Sequence, residues 1–171
     1  DPDTHRPLPQ GDTGEILIAG PQVMQGYWNA PQADADSFVR IDGKRFLRSG
    51  DLGRLDDQGY VYIVDRLKRM INASGFKVWP TEVENLIYGH DAVEKCCVIA
   101  SPDSYRGETV KALVLLRPDA TLRADELIEW MRPQLAAFKL PRKVDFVDSL
   151  PLTASHKVDW RSLQEREAAS A

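Results

Sequence analysis

The spacing of apolar positions changes character near residue 65. Before it, short apolar stretches such as Ile16-Leu17-Ile18 and Tyr60-Val61-Tyr62-Ile63-Val64 lie between closely set turn residues: Gly11, Gly14, Gly20-Pro21, Gly26, Pro31, Asp42-Gly43, Gly50, Gly53 and Gly59. Glycine and proline at that density leave room only for short strands, so this part is predicted as small β structure without a long amphipathic helix. Asp57-Gln58-Gly59 reads as a hairpin turn into an aromatic-rich strand. After residue 65 the period becomes helical in places. Pro80, followed by Thr81 and Glu82 and then by Val83, Leu86 and Ile87 at helical spacing, predicts a helix over 80–88. Val93–Ala100 and Thr109–Leu116 are β-branched runs bounded by turn residues and read as strands. Leu127, Ile128, Met131 and Leu135 share one face of a helix predicted over 124–135. Val144–Val147 gives a last short strand, and Pro151 to Leu163 a turn-rich tail ending in a helical turn. The predicted order after the boundary is β, α, β, β, α, β.

The boundary falls between Asp65 and Arg69, where the glycine-punctuated region meets an α+β unit of about 100 residues, an ordinary domain size. The few short strands before it cannot easily close a core of their own and are expected to complete a larger sheet or barrel. Composition adds limits. The 171 residues are 43% hydrophobic, enough for a core, and the net charge of −4 argues against general nucleic-acid or anionic-membrane binding. Cys96 and Cys97 are adjacent in an apolar run, where neighbouring side chains of a strand point to opposite faces, so they read as reduced packing residues. No apolar run reaches about 18 residues and no charged-then-apolar leader is present, from which a cytoplasmic setting is expected. The chain opens at Asp1-Pro2-Asp3 without methionine, as a piece of a longer protein would.

Four local patterns occur in one order. Gly14-Glu15-Ile16-Leu17-Ile18-Ala19-Gly20 precedes Gly26-Tyr27-Trp28 and Pro31. Phe46-Leu47-Arg48-Ser49-Gly50-Asp51-Leu52-Gly53 follows. The third pattern runs from Asp65-Arg66-Leu67-Lys68-Arg69 through Ser74-Gly75-Phe76-Lys77-Val78-Trp79-Pro80-Thr81-Glu82-Val83-Glu84. The last is Pro151-Leu152-Thr153-Ala154-Ser155-His156-Lys157-Val158-Asp159. Together they resemble the adenylate-forming (AMP-binding) superfamily of acyl-CoA synthetases, luciferases and peptide-synthetase adenylation domains, over nearly the whole chain. The words around Phe76-Lys77-Val78-Trp79-Pro80 look most like long-chain fatty-acid–CoA ligases. Asp65 stands where most members have glycine, as it does in luciferase-like members.

The resemblance implies an α+β cap domain, a small sheet flanked by helices, over 66–171. Residues 1–65 would be the β-rich end of the large N-terminal AMP-binding domain. It implies a ligase that activates a carboxylic acid with ATP and Mg²⁺ to an acyl-adenylate, after which the cap turns and the thiol of CoA displaces AMP. The Mg²⁺ ligand would come from the N-terminal domain, and neither His5 nor His90 has a ligand spacing with His156, so no metal site is assigned to this chain. Asp51 is implied as the ribose ligand, since a carboxylate accepts hydrogen bonds from a diol with charge assistance. Alone, Ser-Gly-Asp is more often a turn that caps its own backbone. Arg66 is implied beside the ribose or phosphates, where a planar guanidinium can hold two oxygens. Lys68 is implied as the hinge, Ser74, Gly75 and Phe76 as the passage for the pantetheine arm, and Lys157 as the catalytic lysine that bridges the substrate carboxylate and the α-phosphate of ATP.

His156 departs from the family's glycine; a β-carbon there costs about 1 kcal/mol or more if the loop requires positive φ. Leu135-Ala136-Ala137-Phe138-Lys139-Leu140-Pro141, with Arg132, Arg142 and Lys143, makes a locally basic stretch that could face the phosphates of CoA. Trp79 and Trp130 read as packing residues. The upstream phosphate loop rich in Ser, Thr and Gly, and the Tyr-Gly-x-Thr-Glu segment of the family, do not occur in these 171 residues, so the chain alone is expected to be inactive. Two other readings remain open at this stage: a cap-fold binding or adaptor module without catalysis, and an adenylation enzyme that loads a carrier-protein pantetheine.

Overall fold

The computed structural model describes residues 1–170, and the chain divides into two compact units, Asp1–Lys68 and Arg69–Ala171. In the first unit a 12-residue strand organises everything else. This strand, β3 (Lys44–Leu55), has β1 (Gly14–Ile18) antiparallel along one edge, while β2 (Phe38–Ile41) and β4 (Val61–Arg66) follow one another along the opposite edge. Asp42 and Gly43, both at positive φ (48° and 77°), close the two-residue turn between β2 and β3, the conformation whose twist matches that of paired strands. The Asp56 carboxylate accepts the amides of Gln58 (3.0 Å) and Tyr60 (2.8 Å) in the turn before β4. A short helix, α1 (Pro31–Ser37), starts on its proline. Leu52 is the fully buried hydrophobic side chain of this unit among the described residues.

The second unit is a five-stranded mixed sheet with three helices. Its frame is a long antiparallel hairpin of β7 (Val93–Asp103) and β8 (Gly107–Leu116). Beside β8 runs β9 (Lys143–Phe146), parallel to it, reached through α3 (Ala124–Met131). The small hairpin of β5 (Ile71–Ala73) and β6 (Phe76–Val78) meets β8 through the single pair Ala73↔Gly107. Beyond it, α2 (Pro80–Tyr88) and α3 cover one face of the sheet, and α4 (Trp160–Ala169) belongs to the other.

Strand β7 is buried on both sides because its residues alternate. Cys96, Val98 and Ala100 enter the larger core with Val83, Ile87, Leu127 and Met131. Cys97 and Ile99 enter a smaller core with Leu113 and Leu150, against which Val158, Trp160 and Leu163 pack. The two thiols therefore face apart, and both are free and buried. Trp130 packs against the larger core and meets His90 edge-on at 5.0 Å.

The helix over 80–88 forms over those residues, and the two long strands extend a few residues beyond their apolar runs. Three expectations are corrected. The glycine-dense region expected to hold only short strands contains the 12-residue β3, which runs through Gly50 and Gly53. The helix expected to reach residue 135 ends at Met131, because Pro133 has no amide to donate to the carbonyl one turn back; residues 132–135 continue as turns. The tail expected to end in one helical turn holds the ten-residue α4, started by the Asp159 carboxylate accepting the amide of Ser162 at 3.3 Å. No helix among the described residues is long and apolar enough to cross a membrane.

Candidate functional site

In the first unit, β3 and β4 bring Asp51 and Arg66 opposite one another, and Arg66 Nε lies 2.9 Å from Asp51 Oδ1. The Asp51 carboxylate keeps its other oxygen available and is partly exposed (30%), as a diol ligand must be. Its backbone is set by two devices. Gly50 supplies φ +70°, and the Ser49 hydroxyl accepts the Asp51 amide at 3.0 Å. This turn is also held by a carboxylate that the first sequence pattern contains but that received no role there. Glu15, only 3% exposed, accepts both Nε and Nη2 of Arg48 at 3.0 Å on one oxygen and the Gly50 amide at 3.2 Å on the other. A charge at that depth is held by its partners, so Glu15 fixes the Arg48–Asp51 turn from below. The available signal was a glutamate alone among apolar neighbours at the start of β1.

Lys68 is exposed and lies in the 3₁₀ turn Leu67–Arg69 through which the chain passes from one unit to the next. The residue after it is firmly attached. Arg69 donates to both oxygens of Glu84 (2.5 and 3.2 Å) and to the carbonyl of Val98 (3.3 Å), while Glu84 also accepts the Val98 amide at 2.8 Å. Thus the chain becomes rigidly tied to β7 and α2 one residue beyond Lys68.

Ser74 and Gly75, at φ 56° and 86°, are the central pair of a two-residue turn between Ala73 and Phe76. That conformation asks for positive φ twice, which glycine meets without strain and serine meets less easily. The turn is exposed and carries no side chain at Gly75, leaving its backbone open to a thin ligand. Phe76 stacks on Phe138 with ring centroids 4.7 Å apart. The basic stretch around Phe138 is largely paired with acids and hydroxyls: Lys139 with Glu82 (2.6 Å), Arg132 with Glu129 (2.7 Å) and Lys143 with Ser101 Oγ (2.8 Å).

Lys157 stands on a hairpin loop whose ends are joined by the bridge Leu152↔Val158. Thr153 donates its amide to the Lys157 carbonyl (2.8 Å), His156 donates to the Thr153 carbonyl (2.9 Å), and the Thr153 hydroxyl accepts the Lys157 amide (3.3 Å). The loop Ala154-Ser155-His156 is therefore a turn closed by one left-handed residue, and that residue is His156, at φ +60°. Positive φ is thus required where the family has glycine, and a histidine supplies it. The Lys157 backbone is fixed on both sides while its ammonium is exposed, with no ion pair or hydrogen bond among the described residues.

Behind this loop, α4 is fastened to the sheet by polar side chains. The Gln164 amide accepts from and donates to the Ala100 backbone (2.9 and 2.8 Å). Glu167 accepts from buried Ser101 (2.5 Å) and pairs with Lys111 (2.6 Å), which also meets Asp145 (2.7 Å). Burial opposes charge on both groups, yet hydrogen bonding wins: Lys111 is raised by Asp145 and Glu167, and Glu167 is held below the usual carboxylate range by Lys111 and Ser101. Burial, reinforced by the Glu84 charge, pushes the Cys97 thiol up to about 12 and Cys96 up as well, so neither is a nucleophile. No group of three or more His, Cys, Asp or Glu is placed to hold a metal ion among the described residues.

The two predicted nucleotide ligands are thus brought together, while the Ser74–Phe76 turn and the Lys157 loop are separate features of the second unit, each with its own supports. Against known proteins, residues 82–157 match the family model described as the AMP-binding enzyme C-terminal domain. The chain carries that domain. This AMP-binding C-terminal domain and the strands before it are 45% identical over 152 residues to a feruloyl-CoA synthase of Amycolatopsis sp, covering 89% of this chain and 30% of the relative. They are 46% identical over 154 residues to a long-chain-fatty-acid–CoA ligase of Bacillus subtilis (strain 168), covering 90% and 27%. The crystal structure of ATP-bound MatB from Rhodopseudomonas palustris superposes with a TM-score of 0.91 at 37% identity, covering 100% of this chain and 34% of that one. The chain thus spans about a third or less of the length of these relatives.

Proposed function

We propose that this chain is the C-terminal part of an ATP-dependent carboxylic acid–CoA ligase that forms an acyl-adenylate and then an acyl-CoA thioester. In this reading residues 1–65 complete the large N-terminal AMP-binding domain of the same protein, and residues 66–171 are a mobile cap that turns about Lys68. The observation that carries it is the Lys157 loop: an exposed ammonium on a backbone fixed by three hydrogen bonds, in the motif position of the catalytic lysine. Two further features agree. Asp51 and Arg66 form one polar pair suited to a ribose diol. The first unit also presents Tyr60 (64% exposed) and Ile63 (63%), with an apolar groove of about 650 Å³ lined by Leu8, Ile16, Phe46, Leu55 and Val61, as expected of a piece whose covering partner lies elsewhere in a longer chain.

The residues divide the work. Asp51 accepts hydrogen bonds from the ribose hydroxyls, and Arg66 both orients that carboxylate and offers its remaining N–H groups to ligand oxygens. In the first half-reaction the Lys157 ammonium lies between the acid's carboxylate and the α-phosphate and offsets their repulsion as the oxygen approaches phosphorus with loss of pyrophosphate. In the second, rotation about Lys68 replaces the lysine loop by the Ser74–Gly75–Phe76 turn, along which the pantetheine arm reaches the acyl carbon and the thiolate displaces AMP. Mg²⁺, which the N-terminal domain would hold, would supply charge neutralisation on the phosphates; carboxylic acid, ATP and CoA are the small-molecule partners. We assign fatty acids as the acid class and a cytoplasmic setting.

The test is thioester formation by the full-length protein, with ATP and CoA, against medium- and long-chain fatty acids and hydroxycinnamic acids. Turnover highest on fatty acids supports the whole reading. Turnover confined to hydroxycinnamic acids keeps the ligase and overturns the acid class, and transfer only to a carrier-protein pantetheine overturns the CoA acceptor. No ATP-dependent activation of any acid would leave a non-catalytic binding module.

A further inference from the structure

The Ser74–Gly75 turn has little backbone support from the sheet. Strands β5 and β6 are three residues each, and β5 joins the sheet through one pair, Ala73↔Gly107. An isolated hairpin of that size is not stable in water, so something else must fix its position. Side chains do so. The Glu108 carboxylate accepts the Asn72 amide at 2.8 Å, replacing the carbonyl that a longer strand would have offered. The Asn72 side chain in turn accepts the Gly75 amide at 2.8 Å, inside the turn itself. The Ser74 amide donates to the Arg106 carbonyl at 3.3 Å. The tip that presents this carbonyl is itself pinned, since the Asp103 carboxylate accepts the amides of Tyr105 (3.0 Å) and Arg106 (2.9 Å). A relay therefore runs from the β7–β8 hairpin tip, through Glu108 and Asn72, to the backbone of Gly75.

We propose that Glu108 and Asn72 are positioning residues for thioester formation, which set the Ser74–Gly75 turn where the pantetheine arm passes. This rests on the ligase reading above. Glu108 touches no reacting atom in it; it acts through the Asn72 amide, and its loss lets the turn shift relative to β8. Because the turn serves only the second half-reaction, the effect must fall on one step.

The experiment uses the full-length ligase with Glu108→Ala, Glu108→Gln and Asn72→Ala, measuring pyrophosphate release for adenylate formation and, separately, thioester transfer from preformed acyl-adenylate. For Glu108→Ala and Asn72→Ala, transfer should fall roughly tenfold or more with a raised KM for CoA, as expected for a misplaced guide. Adenylate formation should stay within about twofold of wild type. Glu108→Gln keeps an acceptor oxygen for Asn72 and should restore most of the transfer rate. Peptide-level hydrogen exchange over 71–76 should rise in Glu108→Ala while that of β7 stays unchanged. Equal losses in both half-reactions, wild-type transfer in Glu108→Ala, or unchanged exchange over 71–76 would overturn the proposal. A wild-type protein that makes neither adenylate nor thioester would instead overturn the ligase reading.

Discussion

A side chain at φ +60° costs backbone energy that glycine would not, and His156 bears that cost directly beside Lys157. Replacing it with glycine removes the clash but gives the unfolded chain more freedom, so the two effects partly offset. The expected result for His156→Gly is a gain of about 0.5–1 kcal/mol in unfolding free energy of the second unit, and for His156→Val a loss of about 1–2 kcal/mol, both read from urea midpoints at constant m. A destabilised His156→Gly would mean that the imidazole makes contacts that outweigh the strain. The sequence showed that a glycine position had been substituted. It could not show the sign of φ, which is set by the bonds of Thr153 to His156 and Lys157. The motifs singled out Asp51 and Arg66 as candidates, whereas the positions of Glu15, quoted without a role, and of Glu108 could not be read: each acts on a backbone amide that lies far away along the chain.

At the scale of elements, the free edge of β7 is the feature that connects Arg69, the first residue of the second unit, to α4. Along that edge Tyr88 donates to the Cys96 carbonyl (3.3 Å), Glu84 and Arg69 take the amide and carbonyl of Val98, and Gln164 takes both polar groups of Ala100. Side chains thus do what a further strand would do, which also protects the edge from pairing with another chain. Arg69 and Glu84 are nearly buried (14% and 13% exposed), so Glu84→Ala removes a carboxylate from a desolvated guanidinium and an acceptor from the Val98 amide. The expected loss is about 2–4 kcal/mol in unfolding free energy, well above that of an exposed pair. A loss under about 0.5 kcal/mol would assign the pair to the surface class. Helix α2 was legible because its core contacts are apolar and periodic. The full extent of α4 was not, because Gln164 and Glu167, which attach it, are polar and leave no hydrophobic period in the sequence.

At the scale of the molecule, the two units differ in what holds them. The second has a continuous apolar core of buried Val, Ile, Leu, Met and Cys side chains; the first has Leu52 and a set of polar turns. Amides of β7 and β8 are therefore expected to exchange orders of magnitude more slowly than those of β1 to β4 in this 171-residue chain, and uniform protection across both units would contradict the division. Density of buried apolar side chains was readable from the sequence through its change of period near residue 65. The mixed sheet, with β9 parallel to β8, was not, since strand neighbours depend on contacts distant in sequence.

The central claim is that Lys157 serves adenylate formation and is dispensable for transfer. The measurement is single-turnover kinetics of the full-length protein with Lys157→Ala, following pyrophosphate release from acid and ATP and, in parallel, thioester formation from preformed acyl-adenylate and CoA. Adenylate formation should fall by roughly a hundredfold or more while transfer stays within a few-fold of wild type, as removal of a charge that acts in one transition state requires. Adenylate formation indifferent to Lys157, or equal losses in both steps, would contradict the account.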